Sequence, residues 1–214
     1  MKSKHLEKFG KEYGTLNMNP GKKIYGERTA KKHGKEYRIW NPYRSKLGTA
    51  LVKKLRNFPF EDNSSVLYLG AGNGTTASHL SDICTKGQIY CVEFSPRAVI
   101  DLHAVSEERK NLIPILADAN NPEEYAGRVS KVDVLYEDVA QSFQVDIFKK
   151  NADKFLKEGG TGYLMVKARS IDVTKEPQKV FNKVIADLSV DFKVKEKIKL
   201  NPYEKDHMCI VVKK

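Results

Sequence analysis

The turn that follows the apolar segment at residues 66–69 constrains the fold of this chain more than any other feature. Val66-Leu67-Tyr68-Leu69 leads directly into Gly70-Ala71-Gly72-Asn73-Gly74. Glycine lets a backbone approach a ligand that a Cβ atom would strike, so the pattern predicts a strand, a ligand-binding turn and then a helix. The next apolar segment, residues 88–93, ends in Glu93, whose carboxylate is placed to accept hydrogen bonds from vicinal ribose hydroxyls.

The spacing of the glycines distinguishes between two nucleoside cofactors. Dinucleotide-binding proteins carry G-x-G-x-x-G, whereas Gly70, Gly72 and Gly74 read G-x-G-x-G, and Thr75 stands at the third expected glycine position. S-adenosyl-L-methionine has no pyrophosphate and needs only a tight first turn, so the sequence favours this cofactor. The alternative is a turn that binds no ligand, with Glu93 as a solvated strand end.

Strand and helix patterns alternate from residue 64 onward. The predicted strands are residues 66–70, 88–93, 112–117, 132–137, 161–167, 191–200 and 207–213, and the predicted helices are residues 75–84, 96–109, 143–156 and 176–189. This alternation predicts an α/β fold with a mostly parallel sheet and helices on both faces. The last two strands are close enough to pair as an antiparallel hairpin, so we expect the seven-stranded mixed sheet of a Rossmann-like, class I methyltransferase that uses S-adenosyl-L-methionine.

The first 57 residues have a different pattern. Glycines punctuate the segment from residue 10 to residue 40 and predict small antiparallel strands with turns. Leu47, Leu51, Val52 and Leu55 lie at helical spacing, and Ser45 is placed to cap a helix that extends to residue 57. We expect a small β-rich N-terminal domain over residues 1–57 and a methyltransferase domain over residues 58–214.

The positive charge of the chain is concentrated near its N-terminus. The whole chain has a formal net charge of +11, and residues 1–60 alone hold 16 Lys and Arg against 4 Asp and Glu. This uneven distribution indicates a polyanionic partner, most commonly a phosphate backbone, although a solubilising lysine-rich surface is the alternative. The aromatic side chains among these cations either stack on bases or pack the small sheet; they are Tyr13, Tyr25, Tyr37, Trp40 and Tyr43.

Several classes of site are not expected. Cys84, Cys91 and Cys209 have no C-x-x-C spacing, and the histidines show no ligand spacing, so we predict neither a disulfide framework nor a metal. No apolar run approaches the roughly 20 residues that span a bilayer, and the first residues lack the apolar core of a signal peptide. We therefore expect a cytoplasmic protein that does not associate with a membrane.

Ligands of an open parallel sheet bind beyond the carboxyl ends of its strands, so the strand ends supply candidate cofactor contacts. These candidates are Gly70, Ala71, Gly72, Thr75, Thr76, Glu93, Phe94, Asp118, Ala119, Asp138, Val139, Ala140 and Gln141. Asp118 is placed to accept a hydrogen bond from an adenine amino group, the Ala119 N–H to meet a ring nitrogen, and Phe94 to cover the ring. The alternative is that Asp118 caps a turn at residues 120–122.

Four residues from distant segments are candidates for catalysis: Lys46, Asp138, Lys167 and His207. Asp138 would keep one lysine charged, while a second lysine, crowded by positive charge and partly desolvated, would have a lowered pKa and accept a proton. A ribose 2′-hydroxyl is a poor nucleophile unless its proton is removed. We favour Lys167 as the base and expect Lys46 to meet the phosphate or ribose of an RNA; a solvated strand end is the alternative for either lysine taken alone.

Longer motifs resemble the fibrillarin family in its archaeal form. They are residues 37–47 (Y-R-I-W-N-P-Y-R-S-K-L), 66–71 (V-L-Y-L-G-A), 74–76 (G-T-T), 92–95 (V-E-F-S), 118–119 (D-A), 138–141 (D-V-A-Q) and 206–207 (D-H). The resemblance runs over essentially all 214 residues, and W-N-P-x-R-S-K-L and D-V-A-Q are not general methyltransferase features. One departure is local: Gly72-Asn73 stands where the family often has Ala or Ser followed by Ser, from which we expect a more flexible loop and the same cofactor.

The resemblance implies the catalytic subunit of a box C/D ribonucleoprotein. Such a subunit transfers methyl groups from S-adenosyl-L-methionine to ribose 2′-oxygens of ribosomal and transfer RNA, and the guide RNA chooses the nucleotide. The implied partners are box C/D guide RNA, target rRNA and tRNA, a Nop-domain scaffold protein and a kink-turn-binding ribosomal-type protein. The resemblance also assigns catalysis to the Lys46, Asp138, Lys167 and His207 set. The alternatives are a methyltransferase acting on protein glutamine and a non-catalytic RNA-binding subunit of the same particle.

Overall fold

The N-terminal segment forms a small antiparallel sheet. The computed structural model describes residues 3–214. Its first four strands are β1 (Leu6–Phe9), β2 (Glu12–Leu16), β3 (Thr29–Lys32) and β4 (Lys35–Trp40), in the spatial order β1-β2-β4-β3. The β-rich N-terminal unit predicted from the glycine spacing is therefore confirmed.

The rest of the chain builds the predicted seven-stranded mixed sheet. Its strands are β5 (Val66–Leu69), β6 (Ile89–Glu93), β7 (Leu112–Leu116), β8 (Val132–Glu137), β9 (Leu156–Lys167), β10 (Lys193–Lys199) and β11 (His207–Lys213), in the order β10-β11-β9-β8-β5-β6-β7. Strands β5 to β9 pair in parallel, and β11 pairs antiparallel with both β9 and β10. The carboxyl ends of β5, β6, β7 and β8 consequently meet at one edge of the sheet.

Helices connect these strands. They are α1 (Lys46–Val52), α2 (Thr75–Ile83), α3 (Pro96–Glu107), α4 (Gln144–Phe155), α5 (Ala168–Ile171) and α6 (Pro177–Leu188), with a 3₁₀ helix at Pro122–Arg128. Helix α1 ends earlier than the leucine spacing predicts, because Lys54 adopts a left-handed φ of 69°. Strand β9 begins before residue 161 because Leu156 pairs with Val132 of β8. Lys214 extends the pairing, since Gly159 N–H donates to its carbonyl and its own N–H donates to the Gly160 carbonyl. The sequence pattern indicated neither α5 nor the 3₁₀ helix.

The hydrophobic core continues from the small sheet into the large one. One cluster of buried side chains includes Trp40 and Leu47 near the N-terminus together with Leu80 of α2 and Tyr136 of β8. A second cluster, with Leu135 and Leu164, fills the opposite face of the large sheet. The two sheets therefore share one continuous core, even though their strand patterns differ.

A buried charge network joins the small sheet to helix α2. Arg38 of β4 is fully buried; its Nε donates to Glu27, and its Nη1 lies 2.8 Å from Asp82 Oδ2. Arg109 Nη2 donates to the other oxygen of Asp82 at 2.9 Å. Arg38 therefore cannot face a polyanion, although the sequence counted it among the N-terminal cations.

A directed chain of hydrogen bonds extends this network. Thr15 Oγ1 lies 2.8 Å from Asp82 Oδ2 and 2.7 Å from His79 Nδ1. Because the hydroxyl donates its one proton to the carboxylate, it must accept from His79 Nδ1–H. The Tyr25 hydroxyl, 2.7 Å from His79 Nε2, then donates to that nitrogen. This arrangement requires a neutral His79 ring, in agreement with burial, which lowers the pKa of His79 well below its usual value.

The cysteines are free and buried. Burial raises the pKa of the Cys84 thiol to about 12 and raises the pKa of Cys91 and Cys209 as well. These thiols therefore have little thiolate character at neutral pH. Over residues 3–214, no helix has the length and apolar character needed to cross a membrane.

Candidate active site

The turn after β5 lies directly against the end of β8. Gly70 adopts φ +77°, and a Cβ atom on it would lie 2.7 Å from the Asp138 carbonyl oxygen. Gly74, with φ +86°, begins helix α2. Glycine at both positions is therefore a physical requirement of the turn: one position has no room for a side chain, and both have left-handed backbone.

Two adjoining cavities lie at this edge of the sheet. The first, of about 340 Å³, is lined at the four strand ends by Gly70, Val92, Glu93, Phe94, Ala117, Asp118, Ala119, Asp138, Val139, Ala140 and Gln141, with Phe143 and Ile147 beyond them. The second, of about 290 Å³, is lined by Arg44, Ser45, Lys46, Tyr68, Gly70, Ala71, Gly72, Asn73, Thr75, Thr76, Asp138 and Glu204. Gly70 and Asp138 line both cavities. The structure thus brings all of the predicted cofactor residues together around two connected spaces.

Glu93 shapes the glycine turn as well as the first cavity. Its Oε2 accepts a hydrogen bond from Gly72 N–H at 2.8 Å, and its Oε1 accepts one from Ser95 N–H at 2.9 Å. Each carboxylate oxygen has a further lone pair for a ligand hydroxyl. Phe94, which follows, is 73% exposed, so its ring is free to cover a ligand.

Asp118 combines the two roles that its sequence context suggested. Its Oδ1 accepts a hydrogen bond from Asn120 N–H at 2.8 Å, which caps the turn, and the residue also lines the first cavity. The turn therefore fixes the carboxylate, while its second oxygen remains to meet a polar group of a ligand.

Two amides of helix α4 hold the cavity walls, and sequence reasoning missed both. Asn151 Nδ2 donates to the Ala119 carbonyl at 2.9 Å. Gln144 Nε2 donates to the carbonyls of Val139 at 3.3 Å and Gln141 at 3.2 Å. The available signal was their spacing, because residues seven apart lie on one helix face and here both are polar on the buried face of α4.

Lys46 and Asp138 form a bidentate ion pair where the two cavities meet. Lys46 Nζ lies 2.8 Å from Oδ1 and 3.0 Å from Oδ2 of Asp138. The two side chains are 22% and 19% exposed, so the pair is accessible from the second cavity. Ser45 fixes the start of α1: it accepts from Gly48 N–H, as predicted, and its hydroxyl lies 2.8 Å from that of Thr76.

Lys167 and His207 are neighbours across strands β9 and β11. His207 is buried, and its Nδ1–H donates to the Lys205 carbonyl at 2.7 Å, which leaves Nε2 with a lone pair in the neutral ring. Lys167 is exposed at the end of β9 and makes no ion pair within residues 3–214, so the expectation that it is partly desolvated is wrong. The structure therefore places one of the two predicted lysines on Asp138 and the other at the end of the adjacent strand.

Glu137 is a second carboxyl at the end of β8. It is fully buried, and neither of its oxygens has a hydrogen-bond partner in the part of the chain that the structure describes. Burial, followed by the charge of Asp138, raises the pKa of Glu137 well above its usual value. Adjacent carboxyls thus differ in state: Glu137 is neutral and Asp138 is ion-paired. No group of His, Cys, Asp and Glu among residues 3–214 has the arrangement of a metal site.

Comparison with known proteins gives one consistent result. The family model described as fibrillarin matches residues 3–214. A fibrillarin-like rRNA/tRNA 2′-O-methyltransferase of Pyrococcus furiosus is 57% identical over 94% of this chain and 88% of that protein. Among solved structures, Aeropyrum pernix fibrillarin with natively bound S-adenosyl-L-methionine is 46% identical, with a TM-score of 0.87 over 94% of this chain and 88% of that one.

A further solved structure, a fibrillarin/Nop5p complex, contains a chain that is 41% identical, with a TM-score of 0.92 over 99% of this chain and 98% of that one. These likenesses confirm the Rossmann-like methyltransferase fold. The matches extend over nearly the whole chain, including both cavities and the strand ends that form them, and therefore the chain belongs to the fibrillarin family.

Proposed function

We propose that this protein transfers methyl groups from S-adenosyl-L-methionine to ribose 2′-hydroxyls of ribosomal and transfer RNA, as the catalytic subunit of a guide-directed box C/D ribonucleoprotein. The observation that carries the proposal is the bidentate Lys46–Asp138 pair, because it lies between the cavity suited to a nucleoside cofactor and a second cavity open to a substrate. The names of the relatives support the reaction and the class of RNA.

The first cavity fits the cofactor. Gly70 lets the turn pack directly against the Asp138 carbonyl, Glu93 offers lone pairs to ribose hydroxyls, and Asp118 has one oxygen free of the turn. The Aeropyrum pernix relative, with its natively bound S-adenosyl-L-methionine, supports this choice. When bound, S-adenosyl-L-methionine supplies an electrophilic methyl group.

The chain's own residues handle the proton of the ribose hydroxyl. Lys46 donates two hydrogen bonds to Asp138, which fix its ammonium group where it can orient the ribose oxygen or a nearby phosphate. Lys167 has no carboxylate partner within residues 3–214, so we assign it to accept the 2′-hydroxyl proton. His207, its neighbour on β11, presents Nε2 as a second proton acceptor.

The particle partners follow from the same proposal. The fibrillarin/Nop5p complex supports a Nop-domain scaffold as a direct partner. We further propose that box C/D guide RNA selects the target nucleotide and that a kink-turn-binding ribosomal-type protein organises the guide. The N-terminal excess of positive charge, even without Arg38, supports a phosphate backbone as a partner.

The deciding experiment measures transfer of labelled methyl groups to a guide-complementary RNA that carries either a 2′-hydroxyl or a 2′-deoxy target nucleotide, with guide RNA and both protein partners present. We expect incorporation into the hydroxyl substrate alone. Incorporation into protein glutamine would favour the protein methyltransferase alternative, and cofactor binding too weak to measure by calorimetry would favour the non-catalytic subunit.

A further inference from the structure

A pair of tyrosines, Tyr43 and Tyr203, lies beside the second cavity, each next in sequence to a residue that lines it. Tyr43 is 69% exposed, and its ring centroid lies 4.9 Å from that of the half-buried Tyr203, with an angle of 58° between the planes. Tyr43 precedes α1, and Tyr203 lies between β10 and β11. The Tyr43–Tyr203 pair therefore joins two segments that are distant in sequence.

The pair adjoins the catalytic residues on both sides. Arg44 follows Tyr43, Glu204 follows Tyr203, and both line the same cavity as Lys46 and Asp138. His207 lies four residues beyond Tyr203. A substrate whose ribose reached the Lys46–Asp138 pair would therefore lie next to the two segments that carry these rings.

Both rings are carried by ordered turns. Tyr43 N–H donates to Asn41 Oδ1 at 2.9 Å, and Arg44 N–H donates to the Asn41 carbonyl at 3.1 Å. On the other side, Glu204 N–H donates to the Leu200 carbonyl at 3.1 Å. Because these turns are already formed, a ligand that met the rings would order little of the protein, which reduces the entropy cost of binding.

Packing does not account for the exposure of Tyr43. Tyr13, Tyr37 and Trp40, which belong to the same basic segment, are buried in the small sheet. Tyr43 retains a free ring face even after its contact with Tyr203. Arg44, the next residue, is exposed and supplies a cation to the same segment, where its guanidinium lies 5.5 Å from the Tyr25 ring centroid. Aromatic faces beside cations match the chemistry of nucleotides, which combine flat rings with phosphates.

We propose that the Tyr43–Tyr203 pair binds the nucleoside that adjoins the methylated nucleotide in the RNA strand. This inference rests on the proposed function. The contact uses ring faces and reads no base edge, so it tolerates any sequence, as a guide-directed enzyme requires. The pair holds the strand so that the neighbouring ribose stays at the Lys46–Asp138 pair.

The test uses the assembled particle with guide RNA and protein partners. Tyr43→Leu and Tyr203→Leu should each weaken binding of a target RNA with an unreactive 2′-deoxy target ribose by about tenfold, the scale of one aromatic–base contact. Both should raise KM for the reactive RNA while leaving kcat and cofactor affinity unchanged. Tyr43→Phe, which keeps the ring, should bind as the wild type does. Ile100→Ala, which shortens an exposed side chain of α3, is the matched control.

Modified RNAs identify which part of the nucleoside meets the rings. An abasic site at either neighbour of the target removes the base, and a 2′-deoxy substitution there removes the sugar hydroxyl. The modification at the true contact should abolish the difference in affinity between wild type and Tyr43→Leu. If that difference survives all of these modifications, or if Tyr43→Leu binds RNA as tightly as wild type, the inference is wrong.

Binding of a protein partner, in place of RNA, to Tyr43 and Tyr203 would give a different result. In that case Tyr43→Leu would weaken assembly with the scaffold protein in the absence of RNA, which would also overturn the inference. If the wild-type particle methylates RNA and the leucine variants bind RNA as tightly as the wild type, the inference is wrong and the proposed function stands. If the wild type methylates no RNA, both fall together.

Discussion

Asp138 has several structural roles at once. Both carboxylate oxygens contact Lys46, its carbonyl occupies the space beside Gly70, and it lines both cavities. Its neighbour Glu137 faces a fully buried environment and is neutral. Two consecutive carboxyls therefore have different surroundings: Glu137 ends β8 inside the core, and Asp138, just past the strand, pairs with Lys46.

Replacing Asp138 should stop catalysis without unfolding the protein. In Asp138→Ala, Lys46 loses both of its hydrogen bonds, so we expect methyl transfer in the reconstituted particle to fall by about a hundredfold or more. Single-turnover transfer of labelled methyl groups measures this loss, and thermal unfolding reports the fold. Asp153→Ala, which removes an exposed carboxylate of α4, should retain full activity. Methyl transfer by Asp138→Ala at the wild-type rate would contradict the role assigned to the Lys46–Asp138 pair.

His79 should make stability depend on pH. Burial, with the charges of Arg38 and Arg109, lowers the pKa of His79 in the folded state. Below about pH 6.5, His79 takes up a proton in the unfolded chain but stays neutral in the folded protein. The free energy of unfolding should therefore fall as pH decreases, by about 1.4 kcal/mol per pH unit. Urea denaturation between pH 5 and pH 7 measures this slope. His79→Gln should show a shallower slope, and equal slopes would contradict the assignment.

At the scale of single elements, the turn after β5 depends on Gly70. Gly70→Ala should greatly weaken cofactor binding, because its Cβ would push against the backbone of Asp138. Isothermal calorimetry with S-adenosyl-L-methionine measures the effect. Gly26→Ala is a matched control: Gly26 has a similar φ of +81°, and its Cβ would meet nothing within 4 Å. Similar cofactor affinities for the two variants would show that the close approach to β8 is unimportant.

The contact of β4 with α2 depends on Arg38. Arg38→Leu would leave the carboxylates of Glu27 and Asp82 buried without this partner, so we expect a loss of about 3–5 kcal/mol in the free energy of unfolding. The exposed pair of Arg28 with Glu12 provides the control, because Arg28→Leu should cost about 1 kcal/mol or less. Chemical denaturation measures the loss in the free energy of unfolding for both variants. Losses of equal size would mean that the buried network stabilises the fold no more than an exposed ion pair does.

Local pattern was enough to predict most elements. The alternation of apolar segments predicted the seven-stranded sheet, and the final hairpin followed from the short separation of its strands. The end of α1 was not predictable, since it depends on the left-handed backbone of Lys54. The carbonyl contacts of Gln144 and Asn151 were also beyond reach, because a polar residue on an apolar helix face does not reveal which loop it meets.

The Lys46–Asp138 pair shows the same limit of prediction from sequence. The position of Asp138 after a parallel strand predicted that it lies at the ligand-binding edge of the sheet. Lys46, however, belongs to a helix 92 residues earlier in the chain. Only tertiary packing, in which Leu47 of α1 and Tyr136 of β8 share one core cluster, places the Lys46 ammonium on that carboxylate. Sequence alone indicated two lysines near Asp138, and the geometry distinguishes them as one paired and one free within residues 3–214.

At the scale of the whole molecule, the small and large sheets are joined by shared packing and by buried ion pairs. They share a core cluster that includes Trp40, Leu47 and Tyr136, and the Arg38 network crosses the same boundary. The division at residue 57 remains a prediction about sequence organisation.

We expect one cooperative unfolding transition because the shared core and network would be lost together. Scanning calorimetry, with the calorimetric and van't Hoff enthalpies compared, tests this expectation. Two separate transitions would show that the N-terminal sheet unfolds independently of the methyltransferase sheet.

The RNA activity of the whole molecule should depend on its partners. Nothing in the sequence resembles a base-reading module. We therefore expect the isolated protein to methylate RNA poorly and without site selection, as measured by labelled methyl transfer with and without guide RNA. Efficient site-specific methylation by the protein alone would contradict a guide-directed mechanism.

The buried thiols make the protein convenient for fluorescence work. Cys84, Cys91 and Cys209 lie in the core with raised pKa values, so maleimide dyes will react with them slowly in the native state. A new cysteine at an exposed site such as Val190, which is 80% exposed, will then carry the label alone. With a second dye on the guide RNA, energy transfer can follow the docking and release of this subunit on single particles, with all native cysteines retained.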